Sequence, residues 1–276
     1  MYKVVVSDLD GTLLNSDQEV SELSKRVIRK LMEMGIQFYI ATGRAYPDAK
    51  QIMESIGIKI PLITANGGVI NDEYGKEIYR NNLEEKYRDA ILDIDYLEVS
   101  DLIHINIYSD NRWFLTDKVR KINPFEEEPT YMYEVVGVDE LRKRDITKIF
   151  FIGPHKDLLK LEKIILDRTN GEVNIAFTHP ECLEIFDIGV NKAKAIEKLG
   201  EAKGFSLEEV VAFGDGFNDY EMLKSVKKGF IMKNAHYTLK AALPKNEVVT
   251  SNSRNGVALK LMELYDIKIN GQDYSI

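Results

Sequence analysis

Both ends of this chain are built from short apolar, often β-branched runs, each stopping at a polar cluster, with helical periodicities between them. KVVVS (3–7) runs into Asp8, Asp10 and Gly11, and reads as a buried strand ending in a polar loop. Leu23, Val27, Leu31 and Met34 then recur at helical spacing before Gly35, a residue suited to a helix stop. IQFYIA (36–41) is a second strand ending at Thr42-Gly43-Arg44. A helix through Ile52, Met53 and Ile56 leads to a third strand at 61–65 and the turn Asn66-Gly67-Gly68. Strands alternating with helices predict an α/β fold: a doubly wound, Rossmann-like parallel sheet with polar residues gathered at the carboxyl ends of its strands.

The middle of the chain follows another pattern. IHINIY (103–108) alternates apolar and polar, and Ser109-Asp110-Asn111 is turn-like before Trp113, Phe114 and Leu115, which together predict a hairpin. The alternation leaves His104 facing water. Strands at 148–152, 173–177 and 182–188 and a helix through Leu158, Leu161 and Ile165 continue a mixed order. Residues 83–187 therefore read as an inserted α+β module. After it, Ala195, Ile196 and Leu199 mark a helix closed by Gly204, and Ser206 with Glu209 has capping-box spacing. VVAF (210–213) enters Gly214-Asp215-Gly216, further strands fall at 229–232 and 247–250, and a last helix carries Val257, Leu261 and Leu264. The expected organisation is a discontinuous core, 1–82 and 188–276, interrupted by the module at 83–187.

With 276 residues and 44% hydrophobic content, the chain is long enough for one large domain or two moderate ones. A net charge of −8 argues against a nucleic-acid polymer as partner, since such binders carry a clustered basic surplus. A single cysteine, Cys182, forms neither an internal disulfide nor a cysteine-based zinc site, which fits a reducing compartment. The opening MYKVVVSDLDG lacks the apolar stretch of a secretory signal, and no run approaches the ~18 apolar residues of a membrane span. The expected location is the cytoplasm, with no membrane contact.

Four polar clusters carry the chemistry, and each has an ordinary structural explanation beside a functional one. Asp8 and Asp10 flank Leu9 at a strand end, where two carboxylates can aim at one volume or simply solvate a turn. Thr42-Gly43-Arg44 suits a phosphate oxygen, though the tripeptide alone favours an ordinary helix N-cap with Thr42 as the capping residue. Lys192 sits one residue into a helix, against the dipole's preference, as a functional group or a surface lysine. Asp215 and Asp219 share a face if a helix begins near Asp215, with Asn218 as a neutral oxygen donor beside them. They hold a cation there or serve as first-turn acids of a capped helix. An oxygen-only donor set favours Mg²⁺ over zinc.

Taken together, DLDGTLL (8–14), ATGR (41–44), GVNKAKAI (189–196) and GDGFNDYEML (214–223) resemble, in order and position, the haloacid dehalogenase-like phosphohydrolases. ITANGGVI (63–70) and CLEIFDIG (182–189) resemble its Cof-type branch, which carries a large α/β cap inserted in the core. Ala193 stands where relatives often have glycine. The resemblance implies an Mg²⁺-dependent phosphatase for small phosphorylated metabolites, such as sugar phosphates, pyridoxal phosphate or a nucleotide. It implies that Asp8 attacks phosphorus and that Asp10 serves as acid and then base. Asp8, the Asp10 backbone carbonyl and Asp215 would ligate Mg²⁺, supported by Asn218 and Asp219. Thr42, Gly43 and Lys192 would bind the phosphoryl group. Arg44, Asn66, His179 and Glu181 are candidate substrate contacts, as are Trp113 and His104 in the module.

Other chemistries share parts of this pattern. A phosphomutase or phosphotransferase would use the same aspartate. A phospho-accepting regulatory protein would combine acids, Thr and Lys on a parallel sheet, but needs neither the module nor GDGFND. A glycosyltransferase would place its DxD beyond a nucleotide-binding region rather than at the end of the first strand.

Overall fold

The structure, a computed structural model, describes residues 2–116 and 133–269. Residues up to Tyr79, together with those from Asn191 on, form one compact unit, and Arg80–Val190 form the other.

The first unit opens with β1 (Val4–Ser7), buried along its whole length and so covered on both faces. Helix α1 (Glu22–Glu33) starts at Ser21, whose hydroxyl accepts from the Ser24 N–H, and buries Val27, Ile28 and Leu31 on one stripe. After β2 (Gln37–Ala41), α2 (Tyr46–Ile56) begins at Ala45 with Pro47 in its first turn and ends at left-handed Gly57. Thr42 therefore does not cap this helix. Three residues short of the N-cap, its Oγ1 instead accepts from the Arg44 N–H at 3.1 Å and closes a tight turn. Strand β3 (Leu62–Thr64) passes through a 3₁₀ turn, Ala65–Gly67, into β4 (Val69–Asn71), which runs back antiparallel to it, and β5 (Glu77–Arg80) follows. The sheet is thus not wholly parallel, because a turn this short can only return the chain alongside itself.

The second unit holds α3 (Glu85–Leu92), the hairpin β6 (His104–Ser109) and β7 (Arg112–Thr116), β8 (Tyr133–Val136), α4 (Val138–Leu141), β9 (Ile146–Ile152), α5 (His155–Thr169), β10 (Val173–His179) and β11 (Cys182–Asp187). Its sheet runs β10-β11-β9-β6-β7-β8. Ile105, Ile107, Ile149, Phe151, Leu183 and Ile185 build a core of this unit's own with α3 and α5. Alternation puts His104 and Asn106 on the opposite face, yet His104 is buried and does not face water. Trp113 Nε1 donates to Asn106 Oδ1 at 3.0 Å, and Lys148 pairs with Glu184 at 2.7 Å among Tyr108, Phe150 and Phe186. Both faces of β6 are covered, which an apolar–polar alternation does not announce.

The chain returns to the first unit with α6 (Lys192–Lys203), capped by Asn191 and closed by left-handed Gly204. Glu209 Oε2 accepts from the Ser206 N–H as a capping box does. Then come β12 (Val210–Gly214), α7 (Tyr220–Ser225), β13 (Lys228–Met232), α8 (Tyr237–Ala242), β14 (Glu247–Val249) and α9 (Gly256–Tyr265). The sheet order is β14-β13-β12-β1-β2-β3-β4-β5. Helix α1 packs on α9, and α6 on α7. Because β1 lies between β12 and β2, parallel to both, the loops leaving their carboxyl ends emerge side by side. That arrangement brings together residues some two hundred positions apart. No helix among the described residues is long and apolar enough to cross a membrane.

Candidate active site

The loop after β1 holds Asp8, buried beneath the sheet's carboxyl edge, with its N–H donated to the Phe213 carbonyl of β12. Lys192, the first residue of α6, is wholly buried and donates to Asp8 Oδ1 and Asp219 Oδ1, both at 2.6 Å. A lysine that opposes the helix dipole is kept there by two carboxylates. Burial alone would lower its pKa, but Asp219 and Asp8 outweigh that and hold it above the ordinary lysine value.

Asp215 and Asp219 do not share a helix face. Asp215 lies in the loop after β12, a 3₁₀ turn (Phe217–Asp219) intervenes, and α7 starts only at Tyr220. Asp219 Oδ2 instead accepts the backbone N–H groups of Asp215 and Gly216, each at 3.0 Å, folding the loop around its own carboxylate. Asp215 Oδ1 accepts from Thr12 Oγ1 at 2.7 Å. A Cβ at Gly11 would lie 2.2 Å from Asp215 Oδ2, and Gly11 also has φ +71°, so no larger residue fits there.

Carboxylate oxygens of Asp8, Asp215 and Asp219 lie within 4.8 Å of one another. One lysine faces three acids, and the imbalance shows in their proton affinities. Burial, together with the charges of Asp219, Asp215 and Asp10, raises the Asp8 pKa well above the ordinary value against the pull of Lys192. Burial and then Asp219 push Asp215 up to about 6. The donor set is all oxygen and carries excess negative charge in a half-buried pocket, which is what a hard divalent cation such as Mg²⁺ fits. Asp8 and Asp215 are the carboxylates best placed to hold it, since both oxygens of Asp219 are already engaged.

Asp10 stands apart. Its carboxylate is half-exposed and takes a two-pronged pair from Arg44, Nε to Oδ2 at 2.9 Å and Nη2 to Oδ1 at 2.6 Å. Arg44 also donates to Gln18 Oε1 at 2.9 Å, and the bond to Asp10 raises its pKa. Thr42 is buried and Gly43 partly exposed in the loop after β2. Asn66 is buried in the turn after β3, and its Oδ1 accepts from Asn218 Nδ2 at 2.9 Å. The structure thus assembles Asp8, Thr42, Gly43, Asn66, Lys192, Asp215, Asn218 and Asp219 along one edge of the first unit's sheet. His179 and Glu181 belong to the second unit, exposed at the connection between β10 and β11.

Sequence reading missed Thr12, Gln18, Asn191 and Asn234. Asn234 Nδ2 donates to the Gly11 carbonyl at 2.7 Å, steadying the loop after β1 from the far side of the chain. Thr12 sits inside DLDGT and Asn191 immediately before Lys192, so their positions were the signal that could have found them. For Gln18 and Asn234 no local signal exists.

Residues 5–261 match the haloacid dehalogenase-like hydrolase family, and the chain belongs to that family. It is an enzyme, and within the family a phosphatase. A Buchnera aphidicola (subsp. Baizongia pistaciae) protein with a provisional phosphatase name is 36% identical, over 96% of this chain and 99% of its own. The HMP-PP phosphatase of Klebsiella pneumoniae is 33% identical over 90% of each chain. Among solved structures, the Thermotoga maritima protein TM0651 is 27% identical with a TM-score of 0.78, covering 99% of this chain and 100% of that one.

Proposed function

We propose that this protein is an Mg²⁺-dependent phosphatase that hydrolyses small phosphorylated metabolites through a phosphoryl-aspartate at Asp8. The observation that carries this reading is the buried Lys192 bridging Asp8 and Asp219, with Asp215 alongside. Lys192 engages Asp8 Oδ1, and the two oxygens of this carboxylate divide between attack on phosphorus and the metal. In the first step a bond forms from an Asp8 carboxylate oxygen to phosphorus as the bond from phosphorus to the leaving oxygen breaks, and Asp10 gives that oxygen a proton. In the second step Asp10 takes a proton from water, and the water oxygen displaces Asp8 from phosphorus. Because Arg44 holds the Asp10 carboxylate on both oxygens, Asp10 leaves that partner and takes up a proton from solvent or from the substrate's phosphate before it gives one to the leaving oxygen.

Charge makes the first step hard. A carboxylate approaching a phosphate anion is repelled by about 4 kcal/mol per unit-charge pair at ~4 Å and an effective dielectric of ~20. Lys192 offsets part of this, and Thr42 and the Gly43 N–H bind the equatorial oxygens. Asp8, Asp215 and the Asp10 carbonyl, with Asn218 and Asp219 in support, would hold Mg²⁺, which when bound would supply the remaining positive charge.

For the substrate, the HMP-PP phosphatase relatives favour a small phosphorylated metabolite, with HMP-PP itself and sugar phosphates the first compounds to try. The second unit, read as the cap, selects among them.

The test is phosphate release from a panel of sugar phosphates, nucleotides, pyridoxal phosphate, HMP-PP and an aryl phosphate, with Mg²⁺ and with EDTA. Release that needs the metal and falls by at least about a thousandfold in Asp8→Asn is expected. Retained turnover in Asp8→Asn removes the nucleophile assignment. Transfer to a second sugar without free phosphate would instead make the enzyme a mutase.

A further inference from the structure

We infer that the left-handed turn Ala65-Asn66-Gly67 sets three of the catalytic segments in register, and that Asn66 is a positioning residue acting through Asn218 rather than a substrate contact. The inference rests on the phosphatase reading above. Three consecutive residues of this turn have positive φ, 49° at Ala65, 55° at Asn66 and 102° at Gly67. Two of them carry side chains, and such strain persists only where surroundings over-determine it.

Those surroundings are the catalytic loops. The Ala65 N–H donates to the Arg44 carbonyl at 3.0 Å and the Asn66 N–H to the Thr42 carbonyl at 2.9 Å, so the turn is stitched to the loop after β2. A Cβ at Gly43 would come within 3.1 Å of Asn66 Oδ1, so the two loops touch at Gly43. A Cβ at Gly67 would meet the Asn191 carbonyl at 2.5 Å, which puts the turn against the residue just before Lys192. Finally, Asn66 Oδ1 accepts from Asn218 Nδ2 at 2.9 Å, in the loop after β12. Asn66 is 5% exposed whereas Asn218 is half-buried. The buried amide therefore braces the more open one from within the site.

A fixed Asn218 keeps the loop that presents Asp215 pre-organised for the transition state, so its loss slows the chemical step more than it weakens binding. Asn66→Gly isolates the effect, because glycine adopts the same left-handed backbone and removes only the amide. Asn66→Gly, Asn218→Ala and the double variant would be compared by kcat, KM, urea unfolding and calorimetric affinity for inorganic phosphate. The expected result is a drop of about tenfold in kcat for Asn66→Gly, with KM changed less than about twofold. The double variant should then be no slower than Asn218→Ala alone, the non-additivity of two groups on one path.

Multiplying effects of the two substitutions, an unchanged kcat in Asn66→Gly, or a change confined to KM would each overturn the inference. A purely structural role would lower the urea midpoint while leaving the two kinetic effects independent. If the wild type releases no phosphate from any compound, the phosphatase reading falls, and the phosphate-affinity cycle alone decides whether Asn66 acts through Asn218. A wild type that neither turns over nor binds phosphate overturns both.

Discussion

Lys192 shows what a single residue must satisfy. It is fully buried, and its charge is paired with Asp8 and Asp219, with Asp215 close by. Removing the ammonium leaves two buried carboxylates facing each other and Asp215. Lys192→Met should therefore abolish turnover and also destabilise the fold, by roughly 3–5 kcal/mol. Urea unfolding of the metal-free protein measures this, and an unchanged midpoint would mean the pair is not buried in solution. Asp219 makes the complementary point. Its carboxylate takes Lys192 on one oxygen and two backbone N–H groups on the other, so it shapes the loop that presents Asp215.

At the scale of elements, the site depends on where helices start. Helix α6 places Lys192 because Asn191 caps it, its side chain accepting from the Lys194 N–H at 2.9 Å. Asn191→Ala should cost roughly 0.5–2 kcal/mol, with thermal unfolding as the measure, and should lower kcat as the first turn frays. Helix α2 shows the opposite case. Its start lies at Ala45, so the Thr42 hydroxyl is spent on a turn rather than a cap, and the loop keeps Thr42 and Gly43 beside Asn66. Much at this scale was legible in the sequence, since KVVVS, IQFYIA and VVAF each fall on a strand of the first unit's sheet. Periodicity and β-branching report burial, and burial defines these strands. The antiparallel β4 was not legible, because a 3₁₀ turn of three residues looks like any glycine-bearing loop.

The whole molecule carries its own pH signature. Burial raises Cys182 to about 11 and Tyr39 and Tyr265 to about 12, each above the ordinary value for its group. In the unfolded chain these groups lose their protons at lower pH than in the folded one. Between about pH 9 and pH 12 the folded state therefore binds more protons, and stability falls as pH rises. Urea midpoints should drop progressively from pH 8.5 to about pH 11, and the Cys182 thiol should resist alkylation at pH 8 until the protein unfolds. Mg²⁺ should act the other way, raising the thermal midpoint with concentration if it binds the folded site alone.

By itself, the sequence determined the α/β class, the strands of the first unit's sheet, and the four short polar segments that meet at one edge of that sheet. Each of these is written locally, in runs of apolar residues and in clusters such as DLDGT and GDGFND. Only the tertiary structure decided how the segments divide the work: that Asp219 closes its own loop, that Arg44 holds Asp10, that Asn66 holds Asn218. The first is a local fold of one loop, but the other two join residues 34 and 152 positions apart and depend on the strand order β12-β1-β2-β3. No local pattern encodes a partner that only strand order brings near.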